Sequence, residues 1–501
     1  MYAIGIDSGT QGTKALVVDA ATGEVLGRGA APHFMVARLK PGESEQDPAV
    51  WVAALEAALR EALKESKIDP AKVVSLGVSG QQHGFVPLGA DGRPVRPAKL
   101  WNDTSTIAET EYLVERLGGV KSYIEKLGIN LAVGFTASKI LWLKKNEPGN
   151  FGKLSKVLLP HDYLNYVLTG VVRMEYGDAS GTGLMDIRNR RWHSEAVAAV
   201  DSSLDKALPE PADSSLPLGC LKTEFGAKFG FKKVLVSSGG GDNMMGAIGT
   251  GNVAPGVCTL SLGTSGTIYS YFAEPFSDPE GEIAAFCDST GGWLPLLCTM
   301  NVTNTTELYK AFAGGLTNEQ LESLAGEAPP GAAGLIFLPF IDGERVPALP
   351  KASAVFFGLN RSNFTRSHMA RAIMEGTILN LGYGFGRMKE LGLRPSEIRA
   401  TGGGAKSRLW LQIVADIFQT PVVTLQEQEA AAFGAALQSI WTWRRENAED
   451  VSIADLAGTM VKKGTDTAQP NSVRIGIYSE LQDRFNSLWK SLTAEFKRLT
   501  K

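Results

Sequence analysis

Only four cysteines occur in this sequence, Cys220, Cys258, Cys287 and Cys298, and no two share a CxxC or other metal-ligand spacing. That argues against a zinc site and a disulfide framework, and fits buried thiols in a reducing cytoplasm. Histidines are also scarce, five in all. No apolar run reaches membrane-spanning length, and no charged, apolar leader opens the chain, so a cytoplasmic protein is expected. The net charge of −3 gives no reason to expect nucleic acid or an anionic bilayer as a partner. Both common nucleotide fingerprints, GxxxxGK[ST] and GxGxxG, are missing.

What is present is length and patterned glycine. A chain of 501 residues exceeds one ordinary core, so two large domains are expected. The opening reads as a β-meander: "YAIGI", a turn at "DSGTQG", "TKALVVD", a turn, and "VLGRGAA". A helix follows, with Asp47 as N-cap, Pro48 in the first turn, and Trp51, Leu55 and Leu59 at helical spacing. "VVSLGVS" is then a buried strand. Strand–strand–strand–helix–strand is not the alternating order of a Rossmann fold.

The second half restarts with "VCTLSLGTSGTIYSYF" and continues with a long helix, the strand "EIRATGGG", a helix, the strand "PVVTL" and a helix through "AAAFGAALQSIWTW". The order echoes the first half and predicts an internal duplication with its boundary near residues 246–252. The expected organisation is an N-terminal domain over 1–247, a C-terminal domain over 248–443, and a tail over 444–501. The tail ends in an amphipathic helix that packs on the core.

Four glycine loops carry the candidate chemistry. "IDSGTQGTK" and "SLGTSGT" are matching hairpin turns, one in each half. Backbone N–H groups in such turns converge on an anion, and Thr10, Thr13, Thr264 and Thr267 add hydroxyls. A single Gly-Thr turn is better read as ordinary hairpin chemistry; the matched pair, one opening each half, reverses this in favour of phosphate. Asp7, at the end of the first strand, suits a magnesium ion beside phosphate, and equally caps its own turn. "ATGGGAKSRLW" follows a strand and opens a helix, as a nucleotide-contacting loop does. In "SSGGGDNMMGA" Asp242 suits a general base and Asn243 a hydroxyl partner, with helix N-capping as the alternative for Asp242.

Two further loops suit a polyol. "SGQQHGFV" offers Gln81, Gln82 and His83 at a strand end, and a satisfied loop histidine is the plain alternative. "LWNDTST" offers Trp101, Asn102 and Asp103 as a sugar-facing wall, with core packing open for Trp101.

These motifs together resemble the FGGY carbohydrate kinases from Met1 to about Trp443. "GFTASKILWLKKN" (134–146) and "AVFFGLNRSNFTRSHMARAIME" (354–375) are similar to the family's two long signatures. "SEQDP", "GQQHG", "LWND" and "GGGDN" are similar to segments of its xylulose-phosphorylating branch. The resemblance implies an α/β actin-like ATPase (ribonuclease H-like) fold, two duplicated domains around a central ATP cleft. It implies ATP as co-substrate at Thr10, Gly12, Thr13, Lys14, Gly263, Thr264, Gly403, Gly404 and Ser407, with magnesium at Asp7. It implies Asp242 as catalytic base, and Gln82, His83, Trp101, Asp103, Asp242 and Asn243 around the sugar. Where many members of that branch carry Met, this chain carries Gln82, which adds amide hydrogen bonding. Family members are often dimers, which makes a homodimer an expectation.

The implied reaction is phosphorylation of D-xylulose to D-xylulose 5-phosphate. D-ribulose, L-ribulose, L-xylulose and glycerol are the alternative substrates. Phosphoryl transfer needs alignment and charge neutralisation, here from magnesium, the two hairpins and Lys14. Domain closure on sugar binding would exclude water and limit idle ATP hydrolysis. An actin-like switch ATPase is the reading from a different class; it has no need of the Asp242 loop or the two signatures.

Overall fold

A computed structural model describes residues 1–499. The chain divides into two compact units that interleave along the sequence. The first takes Met1–Ala254, Tyr271–Pro295 and Glu429–Val461; the second takes Pro255–Ser270, Leu296–Gln428 and Lys462 onward. The linear division expected near residues 246–252 therefore does not describe the packing. The helix Asp242–Gly249 runs into that region and ends within it, the first unit continues to Ala254, and the helix Ala430–Glu446, placed by sequence with the second half, packs in the first unit.

In the first unit the meander forms as the alternation predicts. Strands Tyr2–Ser8, Gly12–Asp19 and Val25–Pro32 pair antiparallel. Val73–Gly80 then runs parallel to Tyr2–Ser8, Leu235–Ser237 runs parallel to Val73–Gly80, and Pro217–Cys220 closes the edge antiparallel. The second unit repeats this pattern. The end of the strand Trp293–Thr299 that falls in this unit, from Leu296, pairs antiparallel with Gly266–Ser270, which pairs antiparallel with Val257–Leu262. Glu397–Thr401 and Val422–Leu425 add in parallel, and Lys463–Ala468 closes antiparallel. Two sheets with the same sequence of antiparallel and parallel pairings are the structural form of the duplication.

Successive residues of a strand face opposite sides of its sheet, and the first strand uses both. Ile4 and Ile6 join a core with Trp51, Leu55 and Leu59 of the helix Pro48–Ser66, which Asp47 caps through Ala49 N–H at 2.9 Å. Gly5 faces the other way, against Ala430–Glu446. A Cβ on Gly5 would fall 1.9 Å from the Ala432 carbonyl, and one on Gly77 would fall 2.1 Å from that of Ala435. The same helix meets Asp242–Gly249 through two more glycines. A Cβ on Gly249 or Gly434 would lie 1.8 Å from the carbonyl of Ala430 or Met245. This close glycine contact fixes the helix that begins at Asp242.

In the second unit the tail helix Ser472–Arg498 buries Tyr478, Leu481, Phe485 and Phe496 against Phe340 and Leu379. The cysteines are free, and the expectation that all four are buried needs correction: Cys258 and Cys287 are, whereas Cys298 is half-buried and Cys220 exposed. Cys220 ends an edge strand, where one face meets solvent.

Candidate active site

Three strand ends of the first unit meet in register. Asp7 pairs with Ser79, and Ser79 pairs with Gly240, all on parallel strands. Carboxyl ends of parallel strands are where open α/β sheets place their ligands. Asp7 accepts a hydrogen bond from the Ser79 hydroxyl at 2.8 Å. Burial pushes the Asp7 carboxyl up to about 6, against the opposing effects of Ser79 and Lys14.

Asp242 is the first residue of its helix, and Gly241 occupies the N-cap. Its Oδ1 accepts the backbone N–H of Asn243 at 2.8 Å and the Asn243 side-chain amide at 3.1 Å. Burial pushes Asp242 up to about 7, and the Asp7 and Asp178 carboxylates push in the same direction. A carboxylate poised near neutral pH is matched to proton transfer.

Gln82 and His83 reach the same neighbourhood. Gln82 is almost fully buried; its Oε1 accepts the Asn243 amide at 2.6 Å and its Nε2 faces Met244 Sδ at 3.1 Å. It lies flat on Gly241, where a Cβ would fall 2.5 Å from Gln82 Cγ. The His83 ring packs against both Phe135 and Phe286, at centroid distances of 4.5 and 5.4 Å, and those two rings also touch each other at 5.9 Å, so the three form one triangular cluster. A Cβ on Gly181 would come within 2.2 Å of that ring. His83 has φ 60°, a left-handed conformation uncommon outside glycine.

Trp101 is 39% exposed, and its indole N–H donates to Thr10 Oγ1 at 2.9 Å. Thr10 in turn donates to Gln81 Oε1 at 3.3 Å. The first hairpin and both sugar-side loops thus share one hydroxyl. Gln46 adds a further tie, donating to the Thr10 carbonyl at 2.8 Å.

Two expected ligand contacts are redirected. Asp103 does not join a sugar-facing wall. It is fully buried, and its oxygens accept from Ser44 N–H, Lys99 Nζ and the Ser105 backbone and hydroxyl. With every direction occupied, it holds its loop from inside. Thr13 likewise does not offer its hydroxyl outward. It is fully buried, with Ser8 Oγ at 3.2 Å and His33 Nε2 at 2.8 Å. His33 Nδ1–H donates to the Gly9 carbonyl at 3.1 Å, so the histidine braces the hairpin from behind. Lys14 stands opposite Asp7 in the strand register, with its ammonium 2.5 Å from Glu429. The backbone at Gly12 is tight: a Cβ there would fall 2.6 Å from the Ala31 carbonyl.

In the second unit, Gly263 N–H donates to the Ser265 carbonyl at 3.0 Å within the turn, and the Thr264 side chain is exposed. Gly404 packs under Trp410, with 3.0 Å between a would-be Cβ and the ring, while Gly403 faces open space. Ser407 caps the helix Arg408–Phe418 by accepting Trp410 N–H at 3.1 Å.

Several supporting residues carry no local sequence signal. Ser79 and His33 are among them. So is a buried cluster behind the site, where His161 lies between Asp178 Oδ2 and Asp162 Oδ1, both at 3.0 Å. Burial opposes charge on His161, yet the two carboxylates hold it protonated well above its ordinary range.

Models of the family match both halves: the FGGY N-terminal domain over residues 2–249 and the FGGY C-terminal domain over 259–443. The chain belongs to the FGGY family of carbohydrate kinases. It is therefore a phosphotransferase, and kinases of this family take ATP as co-substrate. This kinase is 47% identical to a xylulose kinase of Haemophilus influenzae over 448 residues, 88% of this chain and 90% of that protein. It superposes on a xylulose kinase of Rhodospirillum rubrum with a TM-score of 0.90 and 27% identity, covering 99% of this chain and 100% of that one. A gluconate kinase of Lactobacillus acidophilus gives a TM-score of 0.91 at 25% identity, covering 100% and 99%. The fold is that of the actin-like sugar kinases. Among the described residues no helix is long and apolar enough to cross a membrane.

Proposed function

We propose that this kinase transfers the γ-phosphoryl group of ATP to D-xylulose, forming D-xylulose 5-phosphate, with Asp242 as general base. The observation that carries the chemistry is the setting of Asp242: a carboxylate at a helix start, raised to about 7 and held by Asn243. The xylulose kinases it resembles supply the sugar.

Asp242 accepts the proton of the terminal hydroxyl as its oxygen attacks the γ-phosphorus. The bond to the bridging oxygen breaks, ADP leaves, and Asp242 returns its proton to solvent. Gln82 and Asn243 orient the sugar beside Asp242, and the His83 and Trp101 rings bound it. The first turn offers phosphate the backbone N–H groups of Thr10 and Gln11, since Gly9 N–H is bonded to the Gly12 carbonyl; the second unit's turn offers that of Thr264, since Gly263 N–H is bonded to the Ser265 carbonyl; and Gly403 leaves room for the adenosine face. Lys14 adds positive charge once its ammonium leaves Glu429.

A magnesium ion fits the donor set. Asp7 and Asp242 are carboxylates raised by burial, a surplus of negative charge that a cation relieves. No cluster of three or more His, Cys, Asp or Glu among the described residues offers a full cage. Magnesium beside nucleotides commonly takes one or two carboxylates and completes its shell with phosphate oxygens and water, which suits Asp7. When bound, the ion would neutralise charge on the phosphates.

A different polyol is the second reading. Gln82 brings an amide to the site, and the likeness to a gluconate kinase shows that this fold serves an acid sugar elsewhere. The test is ADP formation with D-xylulose, D-ribulose, L-ribulose, L-xylulose, D-gluconate and glycerol. The proposal expects D-xylulose to give the highest kcat/KM. A higher value for another polyol would replace the substrate and keep the base.

A further inference from the structure

Lys139 is a fully buried lysine whose ammonium meets backbone and no carboxylate at hydrogen-bond distance among the described residues. Its Nζ donates to the carbonyl of His83 at 2.6 Å and to that of Gly134. Both acceptors lie in turns of unusual backbone. His83 has φ 60° and Gly134 has φ 97°. Burying an ammonium is costly, and burial pushes this one down to about 7, with Asp103 and Asp178 opposing that and Lys99 adding to it. A lysine held there at such a cost has a task that an apolar side chain would not perform.

The contacts define the task. The His83 carbonyl accepts a second hydrogen bond, from Thr136 Oγ1 at 3.2 Å, and the His83 N–H donates to the Asp178 carboxylate. Both ends of the His83 backbone are thus gripped by side chains. A left-handed non-glycine residue is strained and persists only where its surroundings enforce it. Gly134 in turn touches the loop of Trp101: a Cβ there would lie 2.1 Å from the Trp101 carbonyl. One buried ammonium therefore pins the His83 turn and the turn that abuts Trp101, and Gln82 adjoins the first of these.

We propose that Lys139, assisted by Thr136, is a positioning residue for the sugar, holding His83 in its left-handed conformation so that its ring stays packed against Phe135 and Phe286. Lys139 acts through His83 and does not touch substrate. The inference rests on the proposed role of His83 at the sugar.

The test is a double-mutant cycle with Lys139→Met and His83→Ala, reading KM for sugar and for ATP separately. Alone, Lys139→Met is expected to raise the sugar KM by about tenfold, with the ATP KM within about twofold. In the His83→Ala background it is expected to add less than about twofold. An equal effect in both backgrounds, or a parallel rise in the ATP KM, overturns the inference, because a general structural role predicts both. Should Lys139→Met fail to fold, Thr136→Val replaces it in the cycle. It removes the other donor to the same carbonyl, and an effect independent of His83 is again decisive against the inference. If His83→Ala leaves the sugar KM unchanged, the sugar role of His83 falls and this inference with it. If His83→Ala raises the sugar KM and Lys139→Met does not, only the inference about Lys139 falls.

Discussion

The side chain of Gln82 accepts a hydrogen bond from the Asn243 amide at 2.6 Å, so the loop that ends one strand is tied to the residue beside Asp242. The same Asn243 amide also faces Asp242 Oδ1 at 3.1 Å. Residues 161 positions apart thereby form one polar unit around the proposed base.

This tie predicts non-additivity. Gln82→Met removes the acceptor and Asn243→Ala removes the donor. Measured as kcat/KM for the sugar, the pair should show a coupling of about 1 kcal/mol, typical of a hydrogen bond between neutral groups. Strictly additive losses would mean that the two side chains serve the site independently.

The titration of Asp242 carries a sign. Its carboxyl is raised to about 7, with burial the largest cause and the Asp7 charge next. A base must be ionised, so kcat/KM should climb as pH rises through the Asp242 midpoint. In the metal-free protein, carboxyl 13C NMR should find that midpoint near 7, against about 4 for an ordinary Asp. Asp7→Asn removes a negative neighbour and should move it downward. A wild-type midpoint near 4, or no movement in Asp7→Asn, would contradict the electrostatic account.

The helix Ala430–Glu446 should tolerate no side chain beneath it. Gly5→Ala and Gly77→Ala each drive a methyl into a backbone carbonyl at about 2 Å, so each should cost about 3 kcal/mol in chemical denaturation. Gly403→Ala, which meets nothing within 4 Å, should leave stability nearly unchanged. Equal effects from all three would show that the contact is not rigid.

Tyr478 of the tail helix donates to Glu375 Oε1 at 2.6 Å and accepts from Arg371 Nη2 at 2.7 Å, all three buried. Tyr478→Phe leaves Arg371 and Glu375 short of a partner. It should cost about 1–3 kcal/mol of stability, read as a lower denaturation midpoint, with kcat within about twofold. A midpoint equal to wild type would show that water replaces the hydroxyl.

The strands, hairpins and capped helices were legible because each rests on neighbours in the chain. Alternation gave the meander, Asp47-Pro48 gave the helix start, and the two Gly-Thr turns gave the duplication. Asp7, Gln82, His83, Asp242 and Asn243 do gather in one unit. What local pattern cannot carry is a partner far along the chain. Thr13 and Asp103 looked like ligand groups until His33 and Lys99 took their polar atoms. Lys139 lay inside a quoted signature, yet its meaning depends on a carbonyl 56 positions away. The helix Ala430–Glu446 belongs by sequence to the second half and packs in the first unit because Gly5, Gly77 and Gly249 leave room for it there.

The most direct test of the central claim is Asp242→Asn, assayed by single-turnover phosphoryl transfer to D-xylulose together with equilibrium binding of the sugar. Asn keeps the shape of the side chain and cannot accept the proton. The account predicts that transfer slows by about 100-fold or more while sugar affinity stays within a few fold. Transfer at a rate near wild type would show that another group takes the proton, and Asp242 would lose its role as base.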